Sequence, residues 1–364
     1  MAEDQFIVSA RKYRPNDWES VVGQESITTT MQHAITSGHL AQAFLFCGPR
    51  GVGKTTCARI FAKAINEQAG KTDEDFSFNI FELDAASNNS VDDIRVIIDQ
   101  VRIPPQSGKY KVYIIDEVHM LSSQAFNAFL KTLEEPPPYA IFILATTEKH
   151  KVLPTILSRC QIYDFNRITI NDIAKQLAWI AEKEGITAEP DALHVIAEKA
   201  DGAMRDALSI FDQIVSFCDN NITYDGVLKN LNILDYDYYF KITDALLSNN
   251  IHQSMLIFDE ILEHGFDGHH FIVGLGGHCR NLLVCKDPIT LKLLEVGENI
   301  KQRYAEQSAK TPAKFLVDAI TIAGDCDIHY KASKNQRLLV ELALMKMSSL
   351  TALEGEKKNY VIRI

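Results

Sequence analysis

The sequence predicts an α/β domain built on a parallel sheet flanked by helices, followed by a small helical domain and an all-α block. Three observations carry this. Short, wholly apolar runs of strand type recur between helical patterns, as strands buried on both faces require. Gly48-Pro49-Arg50-Gly51-Val52-Gly53-Lys54-Thr55 completes the pattern G-x-x-x-x-G-K-[ST] between such a run and a helical stretch. From about residue 167 onward strand-type runs disappear and helical spacing takes over. The expected boundaries are 1–167 for the α/β domain, 168–232 for a helical lid and 233–364 for the C-terminal helical block with a short tail.

The bulk numbers narrow the class. With 364 residues, 46% of them hydrophobic, the chain has material for two or three cored domains. No run reaches the roughly 18 apolar residues of a membrane span, and Met1-Ala2-Glu3-Asp4-Gln5 resembles no secretory leader, so a cytoplasmic protein without membrane partners is expected. Seven cysteines, never in a C-x-x-C pair, argue against a disulfide framework or a sulfur-ligated zinc site. The net charge of −11 divides into −3 over residues 1–167 and −8 over the rest, so any nucleic-acid surface must be local.

In chain order, Ala10-Arg11-Lys12-Tyr13-Arg14-Pro15, Trp18 and Val21-Val22-Gly23-Gln24 form a basic, aromatic lead-in that could wrap a base or simply pack on the core. A helix is expected from about Ser26 to Thr36. Ala43-Phe44-Leu45-Phe46-Cys47 is the strand before the glycine loop, and Thr56 to Lys63 the helix after it. The glycines let backbone N–H groups turn inward on a phosphate, Lys54 can reach the β- and γ-phosphates, and Thr55 can ligate Mg²⁺. Asn66 to Phe78 reads as a surface connection and Asn79 to Leu83 as a strand. Ser87 to Ser90 offers N-cap chemistry for a helix carrying Asp92, Asp93, Ile94, Ile97, Ile98 and Val101.

Lys111-Val112-Tyr113-Ile114-Ile115-Asp116-Glu117 is a buried strand delivering two acids at its carboxyl end, where open α/β sheets bind ligands. Asp116 would hold the Mg²⁺ shell, and Glu117 would orient or deprotonate an attacking water. Ser122 or Ser123 caps a helix with Phe126, Phe129, Leu130 and Leu133 on one face and Asn127 and Lys131 on the other, and Pro136 to Pro138 ends it. Ala140 to Ala145 is the next strand and delivers Thr146-Thr147-Glu148, where a hydroxyl could sense the γ-phosphate or the water or merely finish the strand. Leu153 to Cys160 leads to a last strand, Gln161 to Phe165.

Helices are expected near 170–184, 189–200 and 204–217. Arg205 opens the third, a place the helix dipole does not favour for a cation, so either an external anion or pairing with Asp201 or Asp206 explains it. Five further helices are expected in 239–248, 251–264, 269–285, 312–326 and 333–352. Val273-Gly274-Leu275-Gly276-Gly277 follows no strand and reads as close helix packing, and His269, His270, His278, Cys279 and Cys285 lack regular metal-ligand spacing. Glu354 to Lys358 reads as a tail.

Taken together, these motifs resemble the AAA+ ATPases of sliding-clamp loaders, and most closely the γ/τ family of bacterial DNA polymerase III. Ala10 to Pro15, Leu83-Asp84-Ala85-Ala86-Ser87, Lys131-Thr132-Leu133-Glu134-Glu135-Pro136-Pro137 and Thr155-Ile156-Leu157-Ser158-Arg159-Cys160 carry the likeness. It is dense to about residue 217 and thinner beyond.

The resemblance implies an ATPase with the following sites. Gly48, Gly51, Val52, Gly53, Lys54, Thr55 and Thr56 would bind ATP, with Thr55 and Asp116 on Mg²⁺ and Asp116 and Glu117 as the Walker B acids. Thr147 would be the first sensor and Arg205 the second. Arg159 would reach into a neighbouring subunit's ATP, while Arg11, Arg14, Pro15 and Val22 would line the adenine and ribose.

It also implies a hetero-pentameric loader acting with a sliding clamp, primer-template DNA and the polymerase holoenzyme. The family's four-cysteine zinc module has no counterpart in Asn66 to Phe78, so no zinc is expected. Two other readings stand beside this one: a different DNA-associated AAA+ motor, and a non-catalytic scaffold subunit of a loader.

Overall fold

The computed structural model describes residues 7–69, 76–106, 108–231, 233–287, 289–294, 296 and 298–351. The middle of the Asn66–Phe78 connection and the tail Glu354 to Lys358 lie outside the described residues. Two compact units emerge: one runs to Ala188 and resumes over Ile196–Asn221, and the other comprises Glu189–Val195 and the chain from Ile222.

The first unit begins with α1 (Ser9–Lys12) and α2 (Glu25–Ser37), whose Ile27, Met31 and Ile35 face inward at four-residue intervals. Then come β1 (Ala43–Cys47), α3 (Lys54–Ala69), β2 (Ile80–Asp84), α4 (Val91–Val101), β3 (Lys111–Asp116), α5 (Ser123–Glu134), β4 (Ala140–Thr146), α6 (Pro154–Leu157) and β5 (Gln161–Asp164). The five strands lie in the order β2-β3-β4-β1-β5, and every pairing is parallel. The register sets Cys47 beside Thr146 on one side and Asp164 on the other, so the loops after β1, β3 and β4 emerge along one carboxyl edge. β2 starts one residue later than its apolar run suggests, because Phe76–Asn79 closes a 3₁₀ turn first.

Side-chain alternation gives this sheet a core on each face. Leu45, Tyr113 and Phe142 pack with Ile94 and Ile97 of α4 and Phe129 of α5. On the opposite face Phe44, Phe46, Ile114 and Ile143 meet Met31 of α2 and Phe61 of α3. The caps are built from the residues flagged in sequence: Ser90 and Asp93 form a reciprocal capping box on α4, and Ser122, not Ser123, caps α5.

Beyond the sheet lie α7 (Ile170–Glu184), α8 (Pro190–Lys199) and α9 (Met204–Cys218), close to the expected spans. The basic N-terminal segment packs on two of them. The Ser9 N–H donates to Asp212 of α9 at 2.8 Å, and Lys12 and Tyr13 both meet Glu184 of α7. Of the two roles open to this arm, packing is thus evident at Ser9, Lys12 and Tyr13.

The second unit contains α10 (Tyr224–Leu231), α11 (Tyr236–Leu247), α12 (Ile251–Glu263), α13 (Gly268–Val284), α14 (Glu298–Lys310), α15 (Ala313–Tyr330) and α16 (Gln336–Ser349). Neither α10 nor α14 is among the expected helices, although Tyr224, Val227, Leu228 and Leu231 of α10 do fall at helical spacing. The glycines of α13 do permit close approach: a Cβ on Gly274 would fall 2.0 Å from the Tyr239 hydroxyl oxygen, and one on Gly276 would fall 3.2 Å from Ala323 of α15. Among the described residues no three His, Cys, Asp or Glu side chains converge as a metal site, and no helix is long and apolar enough to cross a membrane.

A buried polar network ties α11, α13 and α14 together. Gln307 donates its amide to Phe240 O at 2.9 Å and to Asp244 Oδ1 at 2.7 Å, which turns its carbonyl oxygen to His278 Nε2 at 2.9 Å. His278 Nε2 must therefore donate, and Nδ1 accepts from the Tyr304 hydroxyl at 3.0 Å. Burial, the main cause, pulls the His278 pKa down to about 4, so the ring is neutral near pH 7.

Candidate active site

The glycine loop is shaped by three left-handed or otherwise glycine-only backbones, with φ of +147° at Gly48, +77° at Gly51 and +101° at Gly53. Two of them also lack room for a side chain. A Cβ on Gly48 would fall 2.4 Å from Phe165 O, and one on Gly51 2.9 Å from Ala203 Cβ. The Gly48 N–H still donates to Thr146 O at 3.2 Å, and the loop then enters α3 at Lys54, so the N–H groups that follow Gly48 and the positive end of the helix dipole address the same space.

Lys54 is only 6% exposed, and its ammonium donates back to Gly48 O at 2.8 Å and Pro49 O at 2.7 Å. Burial lowers its pKa, and the nearby Glu117 and Asp116 oppose that shift. A cation held over the loop by carbonyls suits an incoming polyphosphate.

Thr55 comes next on α3, and its hydroxyl donates to Asp116 Oδ2 at 2.6 Å. The other Asp116 oxygen accepts the Glu117 N–H at 2.9 Å. A hydroxyl and a carboxylate in contact at the mouth of a phosphate loop form an oxygen donor set suited to Mg²⁺. Glycine cradle, buried ammonium and oxygen pair together fit a magnesium nucleoside triphosphate.

Glu117 departs from regular backbone, with φ +46° and ψ +45°, a region costly for a residue with a Cβ. That turn swings its carboxylate to Thr147, whose hydroxyl and N–H both donate to Oε2, at 2.9 and 3.2 Å.

A histidine not singled out in sequence completes this corner. The His119 side chain is 6% exposed, and its Nδ1 lies 3.0 Å from Thr146 Oγ1 and 3.3 Å from Glu117 Oε2, with Nε2 3.4 Å from Glu148. Its only sequence signal was its place two residues after Glu117, in the 3₁₀ turn Val118–Met120.

Arg205 is brought to the loop from α9. Its N–H points to Gly51 O at 3.5 Å, and its Cβ is 3.5 Å from where a Gly51 Cβ would be. Asp201, one of the acids weighed as its partner, pairs with Arg167 instead. Arg14 donates through Nε to Thr56 Oγ1 at 3.3 Å, and burial lowers its pKa, assisted by Arg59 and Arg205. Glu82 opposes that shift and itself holds Arg59 through both of its oxygens, at 2.7 and 2.6 Å.

Gln24 ends the basic, aromatic lead-in. It is almost wholly buried and donates to Asn166 O at 2.8 Å and, more weakly, to Val52 O at 3.4 Å. Pro15 and Val22 are half-buried, while Arg11 is exposed on α1.

Arg159 is engaged elsewhere. Its Nη2 meets Glu134 Oε1 at 2.7 Å, and Nη1 donates to Thr155 O at 2.7 Å and Ser158 Oγ at 3.2 Å.

Comparison with known proteins places this arrangement. Residues 23–169 match the family model described as DNA polymerase III, delta subunit, and residues 172–220 match DNA polymerase III clamp loader subunit, ATPase lid domain. The DNA polymerase III subunit gamma of Buchnera aphidicola subsp. Baizongia pistaciae is 32% identical over 362 residues, covering 95% of this chain and 97% of that protein. The chain belongs to the DNA polymerase III γ/τ family. Another γ/τ relative, subunit tau of Bacillus subtilis, is 40% identical over 350 residues and 93% of this chain. This chain spans 62% of that protein's length.

Solved structures agree on the fold. The RuvB Holliday junction branch migration motor of Thermotoga maritima superposes with a TM-score of 0.50 at 21% identity, over 64% of this chain and 79% of its own. In this γ/τ member the likeness is one of fold, over about two thirds of the chain.

Proposed function

We propose that this chain is the ATP-hydrolysing motor subunit of a bacterial clamp loader within the DNA polymerase III holoenzyme, opening a sliding clamp and placing it on primed DNA. The observation that carries the reading is the meeting at one loop mouth of Thr55 with Asp116 (2.6 Å) and of Thr147 with Glu117 (2.9 Å). A scaffold subunit needs neither pair. The partition into a nucleotide-binding domain (1–167), a lid (168–232) and a collar (233–364) belongs to the same proposal, as does a cytoplasmic hetero-pentamer.

ATP is the substrate. The N–H groups of Gly51, Val52 and Gly53 with Lys54 would hold its phosphates, with Gly48 shaping the start of the loop, and Thr56, Arg11, Arg14, Pro15 and Val22 would hold its nucleoside side. Mg²⁺, held by Thr55 and Asp116 largely through water, would supply charge neutralisation. Glu117 would align a water and take its proton, with Thr147 fixing the carboxylate. Arg205, carried on a lid helix, would report closure.

Arg159 would act in trans. Its guanidinium is bonded to Glu134 and Thr155 of its own chain, which supports a role outside the chain's own site. An arginine supplied across an interface is worth about 10³- to 10⁵-fold in rate, making hydrolysis conditional on assembly.

The test is steady-state ATPase of the chain alone, with the other loader subunits, and with clamp and primed DNA added. The rate rises at each addition and most with all present. A rate that stays flat overturns the reading. In the assembly Arg159→Ala binds ATP but loses the stimulated turnover, and full turnover in that variant removes the in-trans role.

A further inference from the structure

We propose that Glu134 is an intramolecular counter-ion that restrains Arg159, so that assembly must exchange this carboxylate for a neighbouring subunit's phosphate before the arginine can serve that subunit. The proposal rests on the in-trans reading of Arg159 and adds a partner on its own chain.

Two helix ends converge on the guanidinium. Glu134 is the last residue of α5, at the negative end of the helix dipole, a place unfavourable to a carboxylate without a cation. Arg159 supplies that cation through Nη2 at 2.7 Å. From the other side Nη1 donates to Thr155 O, in the last turn of the short helix α6, and to Ser158 Oγ. Both terminal nitrogens of the guanidinium are therefore engaged within the chain, and its planar fork is held in one orientation.

The strength of the contact matters. The two side chains are 35% and 47% exposed, so the ion pair is screened by water and weak enough to exchange. It is nonetheless an anion that competes directly for the donor a phosphate would use, and Glu134 has lost its compensation once Arg159 leaves. The result is a threshold: a poorly seated neighbour fails to displace Glu134, whereas a neighbour with a fully presented phosphate does. Glu134 is thus a positioning residue that acts through Arg159.

Glu134→Gln, which keeps the shape and removes the charge, tests this in the chain assembled with the other loader subunits. ATP-dependent association with the neighbouring subunit, followed by analytical ultracentrifugation, tightens about two- to five-fold, the scale of a part-exposed ion pair. ATPase without clamp or DNA rises by the same factor. Raising salt from about 50 to about 300 mM narrows the difference, because screening already loosens the wild-type pair. Fluorescent ATP-analogue affinity of the isolated chain is unchanged, which reports an intact fold. In an Arg159→Ala background the substitution changes nothing.

Unchanged association overturns the proposal, and so does a parallel loss of stimulated turnover, which would make Glu134 an aligner rather than a restraint. Full stimulated turnover in Arg159→Ala alone is a different result, since it removes the in-trans reading itself.

Discussion

Thr147 spends both of its donors on one oxygen of Glu117, the hydroxyl at 2.9 Å and the N–H at 3.2 Å. Because Glu117 leaves β3 in a left-handed conformation, this double contact fixes the direction of a carboxylate that the backbone alone would not hold. Thr147→Val keeps the N–H bond and the shape but removes the hydroxyl. With hydrogen bonds to charged groups worth about 1.5–3 kcal/mol, single-turnover hydrolysis falls roughly 10- to 100-fold. Nucleotide affinity, measured separately, stays within about two-fold, because Thr147 holds Glu117 and not Lys54.

Lys54→Met separates binding from chemistry in the other direction. The ammonium is already buried and lodged on Gly48 O and Pro49 O, so its charge is poised where phosphate would arrive. Its loss weakens ATP-analogue binding by about 10- to 100-fold. Equilibrium titration of the isolated chain checks this.

Glycine substitutions in the loop differ in cost. Gly48→Ala drives a Cβ to 2.4 Å from Phe165 O at φ +147°, and lowers stability by about 3 kcal/mol from clash and strain together. Gly53→Ala meets nothing within 4 Å at φ +101°, so strain alone acts, about 1 kcal/mol. Urea unfolding of both variants reads the difference, and equal losses would mean that space plays no part at Gly48.

Acid weakens the helical unit through His278. Its folded pKa, about 4, lies below the unfolded value near 6.5. Neutral His278 therefore contributes stability that is complete above pH 6.5 and lost as pH falls through 4, about 3 kcal/mol in all. Melting temperature followed from pH 7 to pH 4 drops more steeply in the wild type than in His278→Gln. Parallel curves would show that other groups carry the acid response.

Most of the sheet was legible because its strands are buried on both faces and therefore written in unbroken apolar letters, as in Ala140 to Ala145. The glycine loop and Asp116 were legible because their chemistry needs fixed spacing. α14 was not. Tyr304, Gln307, Ser308 and, just past the helix end, Thr311 are buried at intervals of three, one and three residues, a helical face, but three of the four are polar and face His278, the Leu282 carbonyl and the helix's own backbone. Binary patterning cannot see a core made of hydrogen bonds.

His119 was missed for a different reason. A single histidine after an acidic strand end has no period or pair to mark it, and its meaning comes from Thr146 and Glu148, which the fold brings in from another strand. The contact of Glu134 with Arg159 crosses 25 positions, and no spacing rule connects the end of one helix to the residue after another.

The anchoring of α1 bears on how the chain comes off the ribosome. Ser9 waits for Asp212, which is 203 positions later, so the first helix, although Lys12 can meet Glu184 of α7 sooner, completes its seat only when α9 has been made. At roughly 5–20 residues per second that is about 10–40 s of synthesis. During that interval the sheet can form without its lid, and Arg14 and Thr56 can meet before Arg205 exists. Completion of the surroundings of the glycine loop is therefore a late event of translation, timed by α9, and a helix translated among the first is seated at the same moment.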